Sequence, residues 1–131
     1  MNERNYITLP IAKKLHEAGI VMQNEACWKV WPTGKKLIPV EEIEPLQWRT
    51  TSNVFYPAYT FTEVWDMLPF TIENSDNDYT THYLRCVKGS KETWVGYQNY
   101  IKDELYAATN HNPCDAAAEL LLWLTKEGGK G

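Results

Sequence analysis

The chain has 131 residues, a formal net charge of −4, 44% hydrophobic and 23% charged residues. Those values fit one globular domain, able to bury roughly two-thirds of the surface its unfolded chain exposes without help from a disulfide or metal. The acidic balance argues against a nucleic-acid binder, which ordinarily meets phosphates with a basic surface. It is too slight to suggest a DNA mimic, and no apolar run is long enough to cross a bilayer.

The first element predicted along the chain is a helix over Thr8–Ala18. Thr8 suits a cap, and Pro10 is tolerated in a first turn where its missing N–H has no helical partner. Ile11, Leu15 and Ala18 fall on one face, and Gly19 can close the helix in the left-handed conformation. A hairpin follows. Ala26, Trp28 and Val30 alternate with Cys27, Lys29 and Trp31, the segment Pro32-Thr33-Gly34-Lys35 turns the chain, and Leu37–Val40 returns with Pro39 suited to an edge. Residues 41–57 read either as a short strand near Trp48 or as a loop.

Thr60-Phe61-Thr62-Glu63 has the capping-box pattern. Phe61, Val64, Trp65 and Leu68 form a buried stripe, and Pro69 stops that helix. Phe70–Glu73 suits a short strand and Ser75-Asp76-Asn77-Asp78 a turn. Tyr79–Val87 and Glu92–Asn99 form a second hairpin about Lys88-Gly89-Ser90-Lys91. Residues 100–111 are ambiguous, with a helical turn or two over Ile101–Ala108 as one reading. Asn112 and Pro113 start a last helix, with Asn as cap and Pro at the first position. Ala117, Leu121 and Leu124 share its face, widened by Leu120 and Trp123. Gly128 and Gly129 end it, and residues 126–131 are expected to be a flexible tail.

The expected fold is therefore α+β, one domain over residues 1–131. It has about three helices packed with a mainly antiparallel sheet of four to six short strands.

The candidate chemistry is sparse. His111 and Cys114 form an H-x-x-C pair, but a zinc site needs three or four ligands, and the remaining Cys and His lie singly elsewhere. Cys114 falls in a first helical turn, where the dipole could activate a thiolate; packing as a small hydrophobe is the stronger reading. Asp76 and Asp78 lack the further oxygen ligands of a calcium loop. Glu41, Glu42 and Glu44 lack the partner set of a metal-assisted nuclease and read as a solvated loop. No catalytic, cofactor or metal residue is assigned, and no cofactor is expected. Three cysteines and no signal-peptide-like start fit free thiols in a cytosol.

Six Trp and eight Tyr are many for this length. Core packing accounts for most of them. Trp31, Trp48, Arg49, Phe55, Tyr56 and Tyr59 nevertheless match the residue types that dominate binding hot spots, and they form the expected interaction patch.

Four segments in order carry a resemblance: Leu9 to Ile20, Trp28-Lys29-Val30, Tyr59 to Pro69, and Asn112 to Leu124. The chain resembles a group of small phage and prophage proteins that includes the phage ABA sandwich domain. It departs from their pattern at residues 41–57, an acidic and aromatic insertion. The resemblance implies a small α+β domain encoded by a phage or integrated element, and no particular reaction. The expected function is that of a non-enzymatic accessory protein in the bacterial cytoplasm. It would act by contact with a protein partner, which could be a second copy, and with neither membrane nor nucleic acid. The alternative is a small enzyme or nucleotide-handling domain whose catalytic residues are scattered in sequence.

Overall fold

A computed structural model describes residues 2–20, 24–42, 54–73, 81–99 and 103–127. In chain order its elements are α1 (Leu9–Glu17), β1 (Ala26–Trp31), β2 (Gly34–Pro39), β3 (Val54–Ala58), α2 (Phe61–Met67), β4 (Thr71–Glu73), β5 (Thr81–Lys88), β6 (Thr93–Gln98), β7 (Glu104–Asn110) and α3 (Pro113–Glu127). The strands form two sheets, ordered β2-β1-β3 and β4-β5-β6-β7. Every pairing between them is antiparallel. The fold is α+β, with three α-helices among the described residues, as the sequence predicts.

Local signals explain how most elements begin and end. At the close of α1, Gly19 sits at φ +76°. The Gly19 N–H bonds the His16 carbonyl and the Ile20 N–H bonds the Leu15 carbonyl. This pair of bonds satisfies carbonyls that the helix end leaves open. Ala18, expected on the buried face, is exposed at the cap instead, because the 3.6-residue period ends where the backbone turns left-handed. Leu9, Ile11, Ala12 and Leu15 form the buried stripe.

In α2, Thr60 and Glu63 bond each other's backbone N–H in a complete capping box. Leu68, which precedes Pro69, has left the helical region for ψ 130°, as the proline ring demands of its predecessor. In α3, the Asn112 side chain accepts from the Cys114 N–H at 2.8 Å, with Pro113 at the first position. The helix continues through Lys126 and Glu127, and residues 128–131 lie outside the described set.

In the first hairpin, β1 and β2 join through Pro32-Thr33, with Trp31 opposite Gly34. A Cβ on Gly34 would lie 3.0 Å from the Trp31 ring, so glycine there leaves room for the indole. Pro39 lies on β2, an edge strand, where a missing N–H breaks no ladder. The alternation along β1 divides as predicted: Ala26 and Trp28 enter the main core, with Val30 packed against it, while Cys27 faces the other way with Ile38 and Phe55.

The one substantial departure is β7. Of the helical reading of 101–108, residues 101 and 102 lie outside the described set, and from Glu104 on it fails because Glu104–Asn110 pairs along β6, from Gln98↔Glu104 to Thr93↔Asn110. Leu, Tyr and Ala at 105–108 have no decisive local preference, and the open edge of β6 supplies the partner that settles it. This strand raises the count to seven among the described residues, above the four to six expected. The expected strand near Trp48 and the turn at 75–78 fall outside the described residues.

The helices join the two sheets. Helix α1 lies on β3, α3 lies on β6 and β7, and α3 also touches α1 and α2. One hydrophobic cluster therefore takes Trp28 and Leu37 from the first sheet, Leu84, Val95 and Tyr97 from the second, and Leu15, Val64 and Leu120 from the helices. Tyr97 is fully buried and donates its hydroxyl to the Pro69 carbonyl at 2.7 Å.

Candidate interaction surface

The short segment Tyr6-Ile7-Thr8 crosses the middle of the molecule. The Ile7 N–H donates to the Tyr59 carbonyl at 2.9 Å, and the Trp28 indole N–H donates to the Ile7 carbonyl at 2.9 Å. Asn112 Nδ2 donates to the Tyr6 carbonyl at 2.9 Å. The carboxylate of Asp115 accepts from both the Thr8 N–H and the Thr8 hydroxyl. Thr8 thus has the extended backbone of a cap but makes no side-chain capping bond to α1; its hydroxyl is committed to α3. Burial raises the Asp115 pKa, and the two Thr8 bonds oppose that rise.

These buried groups are structural rather than reactive. Burial pushes the thiols of Cys27 and Cys114 up to about 11, and the Asp115 charge adds to the effect at Cys114. That is the opposite of an activated thiolate. His111 stands apart from Cys114: it is exposed, and its Nδ1 lies 2.7 Å from the Lys91 carbonyl. Among the described residues no group of three or more His, Cys, Asp or Glu is placed to hold a metal.

Four of the six residues of the expected patch are described, and they sit in different surroundings. Phe55 and Tyr59 are buried, Phe55 beside Cys27 and Ile38 and Tyr59 in the main core. Tyr56 is half-buried against α1, edge-on to His16 at 5.4 Å and with the Lys13 ammonium 5.8 Å from its ring centre. Trp31 is half-buried at the first hairpin, with Lys29 5.9 Å from its ring. Trp48 and Arg49 lie outside the described residues.

An apolar surface appears elsewhere, on the second sheet. Strand period places Leu84, Val95 and Tyr97 on the face toward α3. Tyr83, Arg85 and Val87 of β5, with Trp94 and Gln98 of β6, therefore point to the opposite face. Phe70, at the start of β4, is 70% exposed and meets Tyr83 edge-on at 6.0 Å. Val87 is 48% exposed on the same face. Two side-chain bonds cross this face: Arg85 to Gln98 at 3.0 Å and the Trp94 indole to Glu104 at 3.2 Å. Beneath them Gly96 is buried.

Sequence reasoning missed this face because residues 100–111 are locally ambiguous, so the pattern alone does not give the second sheet its fourth strand. The signal that could have found it is the spacing of Tyr83, Arg85 and Val87, every second residue of a strand whose intervening positions supply Leu84 to the core. Among the described residues, no helix is long and apolar enough to cross a membrane. Compared with protein-family models, with curated proteins and with solved structures, the chain matches none of them.

Proposed function

We propose that this chain is a binding module that works by protein–protein contact through the open face of its four-stranded sheet. The observation that carries this reading is Phe70, a large apolar side chain 70% exposed and set against Tyr83 on a sheet face that also bears Val87 and Trp94. Exposed aromatic and apolar groups gathered on one face are the usual anchors of a protein interface. The resemblance to small phage and prophage proteins supports an accessory role in a bacterial host's cytoplasm. The partner is a host or phage protein, or a second copy of this chain.

The test compares the wild-type chain with Phe70→Asp and, as a control on the first sheet, Trp31→Ala. Light scattering reads self-association, and cross-linking capture from a bacterial host reads other partners. Phe70→Asp should lose the dimer or the captured partner, while Trp31→Ala should keep it. If Phe70→Asp retains every contact of the wild type, the open face is not the binding surface.

A further inference from the structure

Away from the open face, the β5–β6 turn and the start of α3 enclose a cleft of about 520 Å³. Arg4, Lys88, Lys91 and His111 line it, and Glu92 is its one lining carboxylate. The sign of this lining is opposite to the chain's net charge of −4. All four basic residues are exposed, and among the described residues no ion pair joins Arg4, Lys88 or Lys91 to a carboxylate. Glu3 adjoins Arg4 in sequence but does not line the cleft.

His111 fixes the shape of the cleft. A carbonyl oxygen carries no hydrogen, so the 2.7 Å contact between Nδ1 and the Lys91 carbonyl requires the proton on Nδ1. That bond ties the hairpin turn to the start of α3 and leaves Nε2 to meet solvent or a ligand. The turn itself is closed by the Gly89 N–H on the Glu92 carbonyl at 2.8 Å. A Cβ at Gly89 would lie 2.7 Å from that same oxygen, so the turn depends on glycine. The helix dipole adds little, because Asn112 already caps α3 and Asp115 sits in its first turn.

We infer that this cleft binds a phosphoryl group carried on a small molecule. Three cations line one concave site, none of them ion-paired among the described residues, which favours an anion of more than one charge. The hydroxyl of Ser90, also in the lining, supplies a neutral donor of the kind phosphate oxygens accept. The cleft is larger than a bare phosphate needs, so it has room for the group that the phosphoryl is attached to.

The test uses the full chain with ¹⁵N label, titrated with inorganic phosphate, pyrophosphate and sodium chloride at matched ionic strength. Pyrophosphate should give saturable shifts confined to the amides of residues 88–93, 111, 112 and 114, and phosphate weaker ones at the same places. Chloride should not saturate. The double variant Lys88→Ala/Lys91→Ala should weaken pyrophosphate binding about tenfold or more, the loss expected when charge-assisted bonds are removed. Glu92→Gln should tighten it, because the one repulsive carboxylate is gone while the turn, closed by backbone atoms, remains. Both variants change exposed side chains, so folding is not at issue. Shifts spread over all the lysines, or equal affinity in the double variant, would overturn the inference. So would a short single-stranded DNA that displaces pyrophosphate and binds more tightly with a steep salt dependence, which would make the cleft a nucleic-acid contact.

Discussion

Thr8 and Asp115, 107 residues apart in the chain, are joined by two hydrogen bonds of 2.8 and 2.7 Å. One comes from the backbone N–H and one from the hydroxyl of Thr8, and both end on a carboxylate that is only 4% exposed. The pair fastens the start of α1 to the first turn of α3, beside Asn112 and its bond to the Tyr6 carbonyl.

Removing this carboxylate leaves the Thr8 donors with nothing to replace it. Asp115→Ala should lower stability by about 2–3 kcal/mol, the cost of stranding donors away from water. Asp115→Asn should cost less, because its amide oxygen can still accept from the Thr8 N–H. The two variants also separate a pH effect. The folded pKa of Asp115 is raised from its ordinary 3.8, so the folded state holds this proton more tightly than the unfolded chain does. Its contribution is fully present below pH 3.8 and is lost as pH rises through the folded value. Urea unfolding across that window should show the wild type gaining stability relative to Asp115→Asn on acidification. A constant difference between the two would mean that Asp115 titrates normally.

Gly96 is a second point of close approach, where β6 meets β7. A Cβ built on it would lie 2.6 Å from the Ala107 Cβ and 2.6 Å from the Tyr106 carbonyl oxygen. The obstacle is backbone and a neighbouring Cβ, neither of which can swing away. Gly96→Ala should therefore destabilise the chain by about 1–3 kcal/mol, as overpacking does. The strain should fall on β7, so hydrogen exchange of the amides of residues 104–110 should speed up more than that of β1 and β2. An unchanged urea midpoint would show that the two strands can part at no cost.

The three cysteines should be distinguishable by thiol labelling. Cys86 is exposed, while Cys27 and Cys114 are buried, with pKa values pushed up to about 11. At mildly alkaline pH an exposed thiol reacts far faster than a buried, protonated one. The folded chain should thus label quickly at Cys86 alone, and the urea-unfolded chain at all three. Rapid labelling of Cys114 in the folded chain would contradict its packing at the base of α3.

The features that could be read from residue order share a short reach. The capping box of α2 closes within four residues, and Pro69 acts on the residue immediately before it. Asn112 and Pro113 start α3 from adjacent positions, and Gly19 ends α1 by its own backbone conformation. Each of these signals carries both partners of its interaction in the same stretch of chain, so no knowledge of the fold is needed. Much less of the candidate surface was legible. The aromatics of 54–59 were recognisable as a cluster, but which of them face outward depends on what lies against β3. Phe55 and Tyr59 turned inward, and Phe70, which no local pattern marked, stayed outside.

Composition, caps and alternation were enough, from the sequence alone, to determine an α+β chain with three one-sided helices and two hairpins. The tertiary structure decided that Glu104–Asn110 is a strand, that the strands divide into two sheets, and that the Thr8 hydroxyl serves Asp115 rather than its own helix. It also decided that, among the described residues, Phe70 and Val87 stay exposed on the second sheet. The physical reason is common to all four. Each depends on what packs or pairs from outside the segment itself, and such a partner can outweigh a local preference worth only a fraction of a kcal/mol per residue.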